Sequence, residues 1–398
     1  MATTMEQMRA WQGPAFFSYG FRPFFFSGAA LAALLVAAWV PWFLGLIAVP
    51  SAFPPVAWHA HELLFGYVPA IVAGFLLTAV PNWTGRLPVV GRPLALLFAL
   101  WIAGRLTMAL SAPAHPLAVA LLTLAFPVAL ASVIGREIIA GSNWRNLKVL
   151  AGVGLLGMAQ AIFHYEVWRF GHGIHGDRLG IGATIMLIMI VGGRIVPSFT
   201  TNWLKRENPG RQPAAFGRFD LVAMIVAGVA LAAWVAVPAH TALAQPAGFL
   251  LVGAGVLQAA RLARWAGDRT LAEPLVTVLH LAFAFVPFGF LISGWALIAD
   301  DVPARAAGIH AWTTGAIGMM TLAVMTRATR GHSGRPLTAP ASTVLVYAAV
   351  FIAAMLRIAA AFLPDATVGL LAAAGLAWTL AFAGFAVAYA PMLLGPRR

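Results

Sequence analysis

Apolar residues fall along this chain in runs separated by short polar segments, and each run is close to the roughly 20 residues a helix needs to cross a bilayer. The runs predict helices near 24–48, 58–80, 93–112, 116–135, 147–167, 179–201, 219–238, 242–263, 274–298, 306–326, 341–363 and 367–392. They are too long for barrel strands and lack the two-residue alternation of a transmembrane barrel, so helices satisfy the backbone in lipid. The expected fold is all-α: a polytopic membrane bundle of about twelve transmembrane helices in one integral membrane domain, residues 1–398. Met1 to Tyr19 has no basic region ahead of a brief apolar core, so no removable signal is expected there.

Composition agrees with a bilayer as the solvent, because 61% of the residues are hydrophobic and 9% charged. Charge then sets the expected orientation. The loops after every even-numbered run, together with Arg9, Arg22, Arg397 and Arg398, hold 19 basic residues, against Arg169, Arg178 and Arg305 in the alternate loops. The positive-inside rule places both termini in the cytoplasm. The same distribution accounts for the net charge of +13. Basic residues spread over short loops form no nucleic-acid footprint, so the expected partner is the lipid bilayer and no nucleic acid.

Cysteine is absent. Disulfides, thiolate-ligated clusters and covalent haem attachment through Cys-x-x-Cys-His are thereby excluded, and any metal must use His, Met, Tyr or carboxylate. Imidazole is the natural donor for copper and haem iron. Trp58-His59-Ala60-His61-Glu62 opens the second run with two imidazoles and a carboxylate, groups that are expensive in lipid and point to function. His164 closes the fifth run, His172 and His175 follow it, and His310 opens the tenth; all fall on the expected extracytoplasmic side. His280 lies in the cytoplasmic half of the ninth run, while His115, His240 and His332 read as solvated loop residues.

On a helix, residues two apart point about 200° apart, so His59 and His61 are expected to serve two neighbouring centres, or one ligates while the other hydrogen-bonds. Glu62, three residues after His59, is on its face and is expected to orient that ring or to shuttle protons. Aromatic residues one turn on, Phe65 and Trp168, and the cluster Phe283, Phe285, Phe288 and Phe290 suit a macrocycle wall or ordinary packing. Arg105, Arg194 and Arg357 lie within apolar runs, where Arg105 and Arg194 suit anion contact such as a haem propionate, or else snorkelling to a headgroup. Asn82-Trp83, Asn202-Trp203 and Thr326-Arg327 end the second, sixth and tenth runs, a hint of three four-helix repeats.

Phe21-Arg22-Pro23-Phe24-Phe25, Trp58-His59-Ala60-His61-Glu62, Gly74-Phe75-Leu76-Leu77-Thr78-Ala79-Val80-Pro81-Asn82-Trp83-Thr84-Gly85-Arg86, Gly193-Arg194-Ile195-Val196-Pro197 and the stretch from His310 through Met325-Thr326-Arg327 to His332-Ser333-Gly334-Arg335-Pro336 resemble, in this order, the motifs of the NnrS family. The resemblance implies a multi-pass protein of the bacterial inner membrane, linked to denitrification and nitrosative stress, with haem (heme) and copper as cofactors. Its motifs carry over His59, His61, Glu62, Arg194 and His310; His164 and His280 are added as metal candidates from their positions. The expected architecture is similar to the twelve-helix core of haem–copper oxidases and nitric oxide reductases, whose His-x-His helix also sends two rings toward different centres. Here that motif lies on the second run rather than near the end, so the likeness is one of architecture.

The first expected function is therefore a redox metalloprotein in which His59, His61, His164, His280 and His310 supply metal ligands, Glu62 acts catalytically on protons, and Arg105 and Arg194 hold cofactor. Its ligand is nitric oxide, bound or reduced as by a nitric oxide reductase-like oxidoreductase, with electrons from a quinol or another external donor. The alternative is a transporter of a metal ion or an iron–nitrosyl complex, suggested by Pro69, Pro127, Pro197 and Pro287 and by Gly192-Gly193 within spans. A haem-based sensor is a third reading, against which stands the lack of an output domain.

Overall fold

The computed structural model describes residues 11–396; the expectations that fall on Met1 to Ala10, Arg397 and Arg398 lie outside the described residues. Among the described residues every regular element is helical. The long helices are α1 (Phe21–Phe43), α2 (Pro55–Thr84), α3 (Arg92–Ala109), α4 (Pro116–Ala140), α5 (Leu147–Phe170), α6 (Ile174–Glu207), α7 (Arg218–Ala236), α8 (Ala244–Ala263), α9 (Pro274–Ile298), α10 (Val302–His310, Ala311–Gly318 and Met319–His332 in succession), α11 (Ala341–Phe362) and α12 (Thr367–Leu394). All but α10 are long and apolar enough to cross a membrane. The exception is diluted by His310, Thr313, Thr314 and Thr321, yet it is helical throughout. The chain is a multi-pass membrane protein, with each run of the sequence matched by a helix.

Local chemistry sets the boundaries. Proline occupies the first turn of α2, α3, α4, α9 and α10, where its missing N–H would have had no partner. Asp301 caps α10 by accepting from Ala304 N at 2.9 Å. Gly85 and Gly171 end α2 and α5 at φ 69° and 79°, a left-handed conformation that a Cβ would oppose.

Three helices are interrupted by a π-helical segment: Glu62–Tyr67 in α2, Ile188–Gly192 in α6 and Ala311–Gly318 in α10. These are the three helices that carry the recurring terminal motifs, so the four-helix period read along the chain reappears in the backbone. A π segment widens the turn, frees a carbonyl from the regular ladder and often accompanies function.

By internal contact the described residues divide into two compact units, 11–180, 328–335 and 382–396 in one and 181–327 and 336–381 in the other. The first unit is packed around aromatic rings: Phe24 lies against Phe98, Trp101 and Phe126, and His332 against Tyr19 and Phe21. In the second, Trp312 packs on Trp234 and Phe290, and Trp265 on Phe283. There α8 and α9 touch backbone to backbone at Gly248 and Gly294, where a Cβ on either would lie 2.7 Å from the other's carbonyl oxygen. Such small-residue contacts let helices approach closely without a hydrophobic driving force in lipid.

Candidate functional site

One cluster of polar residues of the first unit meets at one end of its helices. His61 is six residues into α2, Thr123 seven into α4, His164 six from the end of α5 and Arg105 four from the end of α3, so all lie within about two turns of that end. His61 and Glu62 are fully buried, and Thr123, His164, Gln160 and Arg105 are buried as well.

The contacts form a chain. Arg105 Nη1 donates to Glu62 Oε1 at 2.5 Å, and His61 Nδ1 donates to the same oxygen at 3.0 Å. With its Nδ1 proton on the carboxylate, His61 presents the Nε2 lone pair, which faces His164 Nε2 at 3.2 Å. His164 Nε2 is also 2.8 Å from Thr123 Oγ1, and the Gln160 amide nitrogen is 3.4 Å from His61 Nε2. Rings close the site: Phe65 and Phe163 pack on His61, while Phe53, in the segment before α2, covers both His61 and His164. That segment is pinned by Ser111, whose hydroxyl accepts from Ala52 N at 2.9 Å.

The π segment makes this arrangement possible. Its Gly66 faces Arg105, where a Cβ would lie 2.1 Å from Nη1, and the Gly66 carbonyl accepts from Trp101 Nε1 at 2.9 Å. A carboxylate buried in an apolar bundle is costly unless matched in charge and hydrogen-bonded, and Arg105 and His61 together meet both needs.

The divergence expected of His59 and His61 is observed. His59 stacks on Trp39 of α1 with centroids 4.0 Å apart, while His61 turns inward to His164. The partner of Glu62 differs from the expectation: its carboxylate lies on His61, not His59, because Arg105 draws it inward and Trp39 takes the face of His59. The remaining candidates do not join this cluster within the first unit. In the second unit, His280 is hydrogen-bonded through Nε2 to Thr200 Oγ1 at 2.8 Å, with Nδ1 buried and without a hydrogen-bond partner. His310 ends the first part of α10, its Nδ1 donating to Ala306 O at 2.7 Å, and Arg194 lies half-buried just after the π segment of α6.

Loop histidines fare variously. His175 Nδ1 donates to Glu166 at 2.7 Å and His115 caps α4, both structural tasks. His332, read as solvated, is half-buried between Tyr19 and Phe21 because the end of α10 folds against the start of α1. Sequence reasoning did not single out Gln160, Thr123 and Phe53. Gln160 had a signal, since it stands one helical turn before His164 in an apolar run; Thr123 had none, because threonine is tolerated in membrane helices by bonding its own backbone.

What this cluster can hold follows from its spacing. Two imidazoles on opposite faces of a haem would stand about 4 Å apart, two metal–nitrogen bonds of about 2 Å each, with a flat macrocycle between them. His61 and His164 are closer, and Gln160 and Thr123 crowd the gap, so a haem does not fit between this pair. His59 stacks on Trp39, His280 bonds Thr200 and His310 bonds the carbonyl of Ala306. Among the described residues no three His, Cys, Asp or Glu side chains come together as a metal-holding group.

No curated protein matches the chain. A family profile described as NnrS protein matches residues 15–397, nearly its whole length, and spans every motif from Phe21-Arg22-Pro23 to Arg335-Pro336. The chain therefore belongs to the NnrS family.

Proposed function

We propose that this chain is a haem- and copper-binding protein of the bacterial inner membrane that binds nitric oxide at a His-ligated metal and, with electrons from a quinol or another external donor, reduces it. Family membership supports a role in the nitric oxide response. The observation that carries the finer reading is the buried chain Arg105–Glu62–His61–His164, in which a carboxylate orients one imidazole so that its Nε2 lone pair faces the second. Metal-ligating histidines are held by a carboxylate in this manner, which fixes tautomer and ring orientation.

A metal held by these imidazoles would relay electrons from the external donor and offer nitric oxide a point of attachment. The residues do the rest. Arg105 balances the charge of Glu62, Glu62 Oε1 holds the proton of His61 Nδ1, and Phe53, Phe65 and Phe163 keep water from the rings. Nitric oxide is small, neutral and lipid-soluble, so it reaches a buried site without a charged path.

The test is the absorption spectrum and metal content of the purified protein before and after anaerobic addition of nitric oxide, with nitrous oxide measured under reducing conditions. Stoichiometric metal and a spectrum altered by nitric oxide support the proposal; a colourless protein unaffected by nitric oxide overturns it. The π interruptions of α2, α6 and α10 favour one other reading, a transporter of a metal ion or an iron–nitrosyl complex, since interrupted helices line substrate sites in transporters. Uptake of the labelled ion into proteoliposomes by that colourless protein would establish it.

A further inference from the structure

A histidine, a π segment and an arginine on the following helix occur together twice in the chain. In the first unit His61 stands directly before the π segment Glu62–Tyr67, Gly66 is the fifth residue after it, and Arg105 lies four residues from the end of α3. In the second unit His310 stands directly before the π segment Ala311–Gly318, Gly315 is the fifth residue after it, and Arg357 lies five residues from the end of α11. Each arginine continues the buried stripe of its helix, after Leu94, Leu97 and Trp101 on α3 and after Val346, Val350 and Ala353 on α11.

The register of α11 on α10 brings Arg357 to the π segment. α11 packs on both the first part and the π segment of α10, and the hydroxyls of Tyr347 and Thr326 hydrogen-bond at 2.5 Å. From that bond Arg357 is ten residues on along α11, about 15 Å. Ten residues back from Thr326 along the returning α10 is Ala316, inside the π segment. Phe285, not the arginine, covers Gly315, where a Cβ would lie 2.4 Å from the ring.

One part is not repeated: Ala311 stands where the first unit has Glu62, and it is as buried as that residue. Arg105 has its carboxylate. Among the described residues Arg357 makes no hydrogen bond, ion pair or ring contact, and no charged side chain lies close enough to act on it. Its side chain is half-buried and its nitrogens are not sealed within the fold. Thr314, in the π segment, likewise keeps its hydroxyl unbonded. Arginine stays protonated even when buried, and a cation within a membrane helix is costly unless an anion meets it. Snorkelling to a headgroup calls for an outward position, whereas Arg357 continues the buried stripe.

We propose that Arg357, beside the π segment of α10, binds the two-oxygen edge of a monoanion from outside the chain, which takes the part that Glu62 plays for Arg105. The guanidinium fork meets such an edge with two parallel N–H donors. A small planar ion from water, such as formate or nitrite, presents that edge, and so does the phosphodiester of a lipid headgroup. A single negative charge suits the place, because one cation stands there with no acid beside it. This site goes beyond the metal reading above and does not depend on it.

The test titrates the purified full-length protein, in an uncharged detergent, with formate, nitrite or phosphatidylglycerol and follows the unfolding temperature. Chloride at equal ionic strength and uncharged diacylglycerol are the controls. Wild type should show a saturable rise with at least one of the three anions and none with the controls. A response to formate or nitrite assigns the site to a small ion from water, and one to phosphatidylglycerol alone assigns it to a headgroup. Arg357→Lys keeps the charge but loses the fork, and should weaken the responding anion by at least about tenfold. Ala311→Glu supplies the missing carboxylate from within and should abolish the response, which a merely structural Arg357 would not do. No saturable response in wild type, an unchanged affinity in Arg357→Lys, or a wild-type response in Ala311→Glu overturns the site. Where Ala311→Glu fails to fold, wild type and Arg357→Lys decide.

Discussion

Arg105 occupies the place a side chain on Gly66 would take, its Nη1 standing 2.1 Å from where that Cβ would be. The glycine of one helix and the buried cation of the next are therefore one device, which brings a positive charge to Glu62 through the widened turn of α2. Gly66→Ala should push the guanidinium away and lower stability by about 1–3 kcal/mol, read as a reduced unfolding temperature in detergent, with a change in copper content if Glu62 swings off His61. An unaltered unfolding temperature would show that Arg105 has room to move.

The ion pair makes a sharper prediction. Removing one member of a buried pair leaves the other charge unmatched and costs about 3–5 kcal/mol, whereas replacing both with neutral groups of similar shape is far milder. Arg105→Met alone should therefore destabilise more than the double variant Arg105→Met/Glu62→Gln. A double variant at least as unstable as the single one would mean that Glu62 is not charged in the folded protein.

His59 and His61 should give distinguishable defects, because one lies on Trp39 and the other faces His164. His61→Ala should lose copper; His59→Ala should keep it and instead alter haem absorption or loosen the packing of α1 on α2. Equal loss of the same cofactor in both would contradict the geometry. His115→Ala, at an exposed cap, should change neither.

Glu62→Gln should leave metal bound while slowing proton-consuming turnover of nitric oxide by roughly 10–100-fold, since an orienting partner tunes a centre more than it holds it. Metal content and nitrous oxide production measured on one preparation separate the two effects. Loss of metal from this variant would make Glu62 a ligand.

Orientation can be read with fusions. A reporter active only in the cytoplasm should signal from the loops near Arg145, Arg211 and Arg269 and stay silent near Pro54 and Asp300, as the distribution of arginine and lysine requires. The reverse pattern would move the imidazole cluster to the cytoplasmic end.

Sequence by itself determined the helices and which of them matter. Bilayer thickness sets a minimum run length, so each apolar run declared a helix, while the ends themselves, Pro55 and Gly85 for a run read as 58–80, came from the structure. The expense of ionisable groups in lipid singled out His61, Glu62, Arg105 and His164 before any packing was known. Only the tertiary structure decided their pairings. His61 and His164 are 103 positions apart in the chain, and nothing local to either specifies a contact. Spacing along a straight helix assigned Glu62 to His59; the π segment and Arg105, arriving from another helix, gave it to His61. Thr123 was silent for the same reason: a hydroxyl that bonds its own backbone leaves little trace in the hydropathy of its helix, and meets a neighbour's imidazole only through packing; Gln160 stood out as a polar side chain one turn before His164, but its contact with His61 waited on the fold.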